Sequence, residues 1–202
     1  MFKPLVTFSG SAAAPPQFPR DGLPEIAFLG RSNVGKSCLL NALVGVRGLA
    51  RVSATPGRTQ LVNFFRVEQD FYLADLPGYG YAKVPARVQA GWETLLRSYL
   101  EGRPELALCV LLLDARHAPG ANDLMLHSYL GTLALPYVVA ATKCDKLGRG
   151  ELQRQIAKLK QGLGAQALDV LPVSATAGTG LQPLWNCIRS AAQTRREALR
   201  GH

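Results

Sequence analysis

Eight residues, Gly30-Arg31-Ser32-Asn33-Val34-Gly35-Lys36-Ser37, limit what this chain can fold into more than any other stretch. They stand between an apolar run, Ile26-Ala27-Phe28-Leu29, and a helix-like segment, Cys38-Leu39-Leu40-Asn41-Ala42-Leu43. The order is strand, glycine loop, helix, with G-x-x-x-x-G-K-S at the turn. Glycines at both ends let backbone N–H groups curl around an anion, and the helix that follows points its positive end at the same place. Lys36 can reach terminal phosphates, and the Ser37 hydroxyl can hold Mg²⁺. The stretch predicts a nucleoside triphosphate cradle.

The rest of the chain fits a sheet that would carry such a loop. Residues 9–24, rich in Pro, Gly and Ala, read as an extended lead-in without regular structure, which sets 1–24 apart from one domain over 25–202. A strand is expected from about Glu25 to Leu29 and a helix to about Val44. From Gly45 to Gln60 periodicity disappears, and a loop of that length is often functional. Leu61–Val67 and Phe71–Asp75 are β-rich and joined by Glu68-Gln69-Asp70, the pattern of an antiparallel hairpin. Val88, Trp92, Leu95, Leu96 and Tyr99 recur at helical spacing, so a helix is expected from about Pro85 to Glu101. Leu106–Leu113 is apolar throughout, as in a strand covered on both faces. Helices near 121–133 and 149–162, strands near 136–142 and 168–173, and a last helix through Leu181, Leu184, Trp185 and Ile188 complete the alternation. The expected fold is three-layer α/β: a mostly parallel six-stranded sheet with one antiparallel edge strand and helices on both faces.

Charge points to the partner. The 202 residues carry 23 Lys and Arg against 14 Asp and Glu, a net +9, with arginines gathered at the end as Arg189, Arg195, Arg196 and Arg200. Guanidinium forks pair bidentately with phosphate, so RNA contact and a merely solubilising surface both account for the surplus. Met1–Phe8 lacks the sustained apolar region of a secretory signal, and no run approaches the roughly 20 residues needed to span a bilayer. Cys38, Cys109, Cys144 and Cys187 are scattered without a C-x-x-C pair, as expected of reduced cytoplasmic thiols.

Four further motifs could complete the site. Asp75-Leu76-Pro77-Gly78 ends a strand, where the carboxylate can reach the Mg²⁺ shell through water and the Gly78 N–H can approach a γ-phosphate. Thr142-Lys143-Cys144-Asp145 follows another strand. A carboxylate there can accept from guanine N1–H and the exocyclic amine, while the Lys143 stem lies over the base with its head in water. Val173-Ser174-Ala175 can offer a backbone N–H to guanine O6. Thr55-Pro56-Gly57-Arg58-Thr59-Gln60 sits in the long loop, where a threonine hydroxyl can complete the metal coordination.

In this order the motifs resemble those of a Ras-like GTPase. More narrowly, they are similar to the EngB family (also called YihA or YsxC), bacterial ribosome-assembly GTPases of the TrmE-Era-EngA-EngB-septin-like superfamily. Pro24-Glu25-Ile26-Ala27-Phe28, Asp114-Ala115-Arg116-His117 and Tyr79-Gly80-Tyr81-Ala82 extend the resemblance over nearly the whole chain. It implies catalytic roles for Lys36, Thr59 and Gly78. It places GTP or GDP on Gly30 to Ser37, on Gly57-Arg58-Thr59-Gln60-Leu61, on Asp75 to Gly78, on Thr142 to Asp145 and on Val173 to Ala175. It implies Mg²⁺ on Ser37 and Thr59, with Asp75 acting through water. Asn33 resembles the asparagine of potassium-activated relatives, which implies K⁺ beside the phosphates. The implied partner is the large ribosomal subunit or its precursor, both rRNA and ribosomal proteins, met by a cytoplasmic monomer with no membrane role. The implied biology is a link to division and septation. A scaffold for the division machinery with incidental hydrolysis is the rival reading, and a P-loop ATPase is opposed by Asp145.

Two departures from the Ras pattern stand out. Thr142 replaces an asparagine, which loosens base contacts. Tyr79 replaces the water-orienting glutamine, so unaided turnover should be slow, on the order of 10⁻⁴ to 10⁻² per second. Tyr79, Tyr81 and Lys83 could instead grip RNA or protein, or the tyrosines could pack on the neighbouring helix. His117 has no derivable role.

Overall fold

The computed structural model describes residues 4–50, 61–79, 86–164 and 167–201, excepting the side chains of 86–90 and 92. The strands are β1 (Val6–Ala12), β2 (Glu25–Gly30), β3 (Val62–Val67), β4 (Phe71–Asp75), β5 (Leu106–Asp114), β6 (Tyr137–Thr142) and β7 (Val170–Pro172). The helices are α1 (Lys36–Val44), α2 (Ala86–Gly102), α3 (Ala121–Thr132), α4 (Arg149–Leu163) and α5 (Leu181–Arg200). Sheet order is β1-β3-β4-β2-β5-β6-β7. β4, β2, β5, β6 and β7 run parallel to one another, while β3 is antiparallel to both β1 and β4.

The mixed, mostly parallel sheet matches the expectation, but it has seven strands where six were expected. The extra one comes from the lead-in. Val6–Ala12 pairs with β3 from Val6↔Val67 to Ala12↔Val62, slipping register between Phe8 and Gly10. The bulge explains why alternation is hard to read there: only Val6 and Ala12 of this strand are buried. A 3₁₀ turn at Pro15–Gln17 follows and delivers Phe18 into the core against Phe64 and Tyr99. The lead-in is therefore not without regular structure.

Period-two alternation in the central strands makes two cores. Ile26, Phe28, Leu108, Val110, Leu112, Val138 and Ala140 face α1 and α5, meeting Leu40, Leu43, Leu184, Trp185 and Ile188. Ala27, Leu29, Cys109, Leu111, Leu113, Val139 and Ala141 face α2, α3 and α4, meeting Leu96, Tyr99, Leu130, Leu159 and Leu163. With both faces covered, β5 is buried from Leu106 to Leu113.

One ionic cluster lies inside, at the end of the sheet away from the phosphate loop. Glu25 is fully buried and accepts from Tyr99 Oη at 2.7 Å and from Arg103 Nε at 3.2 Å. Arg103 Nη2 also pairs with Glu25 and donates to the Pro19 carbonyl at 2.9 Å, tying β2, α2 and the lead-in together. Burial pushes the Glu25 carboxyl up, and the Arg103 and Tyr99 contacts offset part of that push. Removing one partner strands the other charge, so Arg103→Ala should cost about 3 kcal/mol. Chemical denaturation checks this: a loss near zero would mean water reaches Glu25.

Candidate functional site

The phosphate loop leaves β2 and enters α1 through two residues in the left-handed region, Asn33 at φ 62° and Gly35 at φ 105°. That turn presents the first N–H groups of α1 outward. No side chain caps them and no acidic residue stands in the first turn. The arrangement is a cradle for an anion. The Lys36 ammonium pairs with Asp75 at the end of β4, where only 12% and 8% of the two side chains remain exposed. Strand pairing makes this meeting: Phe28 of β2 stands opposite Asp75 of β4. Ser37 is half-buried beside the same loop.

Asp75 is followed by Leu76, Pro77 and Gly78, which return along the loop. A Cβ on Gly78 would stand 3.1 Å from the Ser32 nitrogen and its hydroxyl, so a side chain there would have to press Ser32 back by a few tenths of an ångström. The next residue zips to the loop: Ser32 N–H donates to the Tyr79 carbonyl at 2.9 Å, and Tyr79 N–H to the Gly30 carbonyl at 3.3 Å. Tyr79 is buried, and its Oη donates to Asp123 Oδ1 at 2.8 Å. Burial, with the Asp123 carboxylate beside it, raises the phenol far above its ordinary range and keeps it a donor. Asp123 in turn accepts from Gly120 N–H at 2.8 Å at the start of α3. Of the two sequence readings of Tyr79, the structure supports packing on a neighbouring helix. Tyr81 and Lys83 lie outside the described residues.

This geometry makes Tyr79 an anchor. Tyr79→Phe should cost about 2 kcal/mol, because Asp123 loses a buried donor. It should change GTP hydrolysis by less than about threefold, since removing a transition-state donor typically costs 10²-fold or more. Urea unfolding and single-turnover hydrolysis test both; a hydrolysis loss of 10²-fold would give the phenol a part in the chemistry.

β5 and β6 bring the base-reading motif to the same edge. The Thr142 hydroxyl is buried 2.7 Å from the Val34 carbonyl and 3.1 Å from that of Leu113. Thr142 thus clips the motif to the phosphate loop. Lys143 adopts φ 59°, and its Nζ donates to the Asn33 carbonyl and to Asp114 Oδ2, each at 2.9 Å. Its head is tied down rather than left in water as the sequence reading had it, because Asp114 closes β5 next to it. Arg116 grips Asp114 from the other side through Nε at 2.9 Å and Nη2 at 2.8 Å. Burial opposes the Asp114 charge, but the Arg116 and Lys143 hydrogen bonds win and hold its carboxyl well below the usual range.

Asp145 is exposed, and a hydrogen bond from the Ser174 hydroxyl lowers its pKa, with Lys146 3.5 Å away adding to the effect. The Ser174 N–H is already spent on the Thr179 carbonyl at 2.9 Å. Of Val173-Ser174-Ala175, the Ala175 amide is therefore the donor left for a base. Val173 is buried, its N–H bonded to the Ala141 carbonyl. Cys144 is buried too, its N–H donating to the Val173 carbonyl, which joins the two base-side segments.

A cleft of about 180 Å³ runs beside the phosphate loop, lined by Arg31, Ser32, Asn33, Asp114, His117 and Asp123 among others. Thus Gly30–Ser37, Asp75–Gly78, Thr142–Asp145 and Val173–Ala175 meet at one edge of the sheet. Leu61 is half-buried at the entry to β3. Gly57, Arg58, Thr59 and Gln60 lie outside the described residues. Sequence reasoning missed Asp123, whose signal, an acidic residue three after Gly120 at a helix start, marks a cap and not a Tyr79 partner.

Comparison with known proteins agrees with this assembly. A family model described as "50S ribosome-binding GTPase" matches residues 25–143. The chain is 48% identical over 188 residues to the probable GTP-binding protein EngB of Solibacter usitatus, covering 93% of this chain and 96% of that one. With the EngB of Koribacter versatilis it shares 46% over 203 residues, covering 98% of each. The chain belongs to the EngB family. It is a GTP-binding protein and a GTPase of P-loop fold. A crystal structure of a probable EngB superposes with TM-score 0.69 at 25% identity, covering 84% of this chain and 99% of that chain. Era, solved with MgGDPNP and a stretch of 16S ribosomal RNA, shares the fold at TM-score 0.66 and 22% identity, covering 84% of this chain and 56% of that one. Among the described residues no helix is long and apolar enough to cross a membrane.

Proposed function

We propose that this EngB-family chain is a GTP-driven switch that acts, as a cytoplasmic monomer, in assembly of the large ribosomal subunit, with any effect on division and septation following from translation. The observation that carries the switch is the Lys36–Asp75 pair. The loop's cation is held by the strand-end carboxylate, and a triphosphate entering the cradle would draw Lys36 onto its terminal oxygens and release Asp75. Gly78, packed on Ser32, would feel that exchange directly and pass it to the segment beyond Tyr79. Lys36, the Gly78 amide and Thr59 are the groups assigned to hydrolysis, the loop amides and Lys36 taking the charge that develops on the phosphoryl oxygens.

The residues present suit Mg²⁺. A hard cation takes oxygen donors and is bound largely through substrate phosphates, and the Ser37 hydroxyl and Asp75 carboxylate stand at the cradle. The Ser37 hydroxyl, with Asp75 through water, would hold Mg²⁺ there, and the ion would supply positive charge to offset that of the phosphates. Asn33, at the crest of the loop, is assigned to K⁺; equal GTP turnover in KCl and NaCl would remove that assignment.

The match to a model of 50S ribosome-binding GTPases supports the ribosomal partner, as does the net charge of +9. The test is co-sedimentation with large subunits. Binding with a non-hydrolysable GTP analogue and release with GDP is expected; binding indifferent to nucleotide would end the switch reading.

A further inference from the structure

The basic surplus is unevenly spread. α3 carries no Lys or Arg, and α2 balances Arg87 and Arg97 against Glu93 and Glu101. From Lys146 to Lys160, by contrast, five basic residues face one acidic residue, Glu151. On α5, Arg195 and Arg196 are occupied by the Pro104 carbonyl and Asp70. On α4, Lys160 pairs with Asp169, but Arg149, Arg154 and Lys158 are exposed and make no ion pair among the described residues.

The shape of α4 is as informative as its charge. Leu152, Ile156, Leu159 and Leu163 turn inward. By the helical period, Gly150, Arg154, Ala157 and Gln161 form the outward ridge, flanked by Gln153 and Lys158, and all six are exposed. Ala157 keeps the ridge low between Arg154 and Gln161, and Gly150 does so at its N-terminal end, with long cationic and amide side chains around them. The helix covers edge strand β7 and begins directly after the Asp145 loop.

We infer that the outward face of α4 docks on duplex RNA, with Arg154 and Lys158 on phosphates and Gln153 and Gln161 on 2′-hydroxyls of the shallow minor groove. A-form duplexes are read in this way, by phosphate and 2′-hydroxyl contacts over a wide, flat groove. A lipid surface fits worse: none of the exposed large hydrophobic residues lies on α4, so nothing there would enter an acyl layer. The inference rests on the ribosomal reading and gives it a contact face.

The test uses the full chain with a 20-base-pair RNA duplex, the matching DNA duplex and phosphatidylserine vesicles. Salt-dependent RNA binding that falls at least about tenfold in Arg154→Glu/Lys158→Glu, with GTP affinity unchanged, is expected. A control reversal, Arg47→Glu/Arg200→Glu, should lose less. Equal loss in the control, equal binding of DNA, or preference for vesicles would overturn the inference. Nucleotide-dependent co-sedimentation with large subunits that survives in the α4 variant would overturn it as well, leaving the switch reading intact.

Discussion

Asp145→Asn should move nucleotide preference from guanine to xanthine, weakening GDP binding by about 10²-fold and admitting xanthosine diphosphate in its place. The carboxylate accepts from two guanine donors, N1–H and the exocyclic amine. An asparagine keeps one acceptor but turns an amide N–H toward the other, and xanthine offers a carbonyl there. The surrounding structure argues that the change stays local. Asp145 is exposed, whereas Thr142 and Lys143 on the same segment bond to the phosphate loop through Val34 and Asn33. The Ser174 hydrogen bond holds the Asp145 carboxyl below its ordinary value. Its charge is thus complete above the usual carboxylate range and lost only as pH falls through the lowered value. GDP affinity should accordingly be flat from about pH 5 to 8 so far as Asp145 is concerned.

Lys36→Ala should act twice. Hydrolysis should fall by about 10²- to 10³-fold, because the loop lysine is the cation placed for the terminal phosphates. The nucleotide-free protein should also lose about 3 kcal/mol, since Asp75 would be left as a buried carboxylate without its cation. The second effect separates this chain from one whose loop lysine stands in solvent: here only 12% of the Lys36 side chain is exposed, beside Asp75. Lys36→Met/Asp75→Asn removes both charges and should recover most of the stability and none of the hydrolysis. Equal stability in the single and double variants would mean the pair contributes little to the empty state.

The site was legible where residue type alone carries the chemistry. Gly35, Lys36, Asp75 and Asp145 are recognisable because few other residues could serve at those places, each at or just past a strand end or at a helix start. The strands with continuous apolar runs were equally readable. Other features were not, for reasons of distance along the chain. β1 gains its identity from pairing with β3 some fifty residues away, and its bulge at Gly10 breaks the alternation a strand would otherwise display. The roles of Thr142 and Lys143 as clips to the phosphate loop depend on carbonyls at Val34 and Asn33, over a hundred residues off. Tyr79 is the clearest case. Its position after D-x-x-G leaves both a gripping role and packing on a helix open, and only the fold brings Asp123 of α3 to within 2.8 Å of its hydroxyl.

The most direct test of the whole account is displacement of a fluorescent GDP from the wild-type protein by unlabelled GDP, GTP and ATP. GDP and GTP should compete while ATP fails to at a hundredfold higher concentration, well within the discrimination of a site that hydrogen-bonds its ligand through a charged acceptor. Displacement by ATP at the same concentration as GTP would contradict the reading of the Asp145 pocket and of the function built on it.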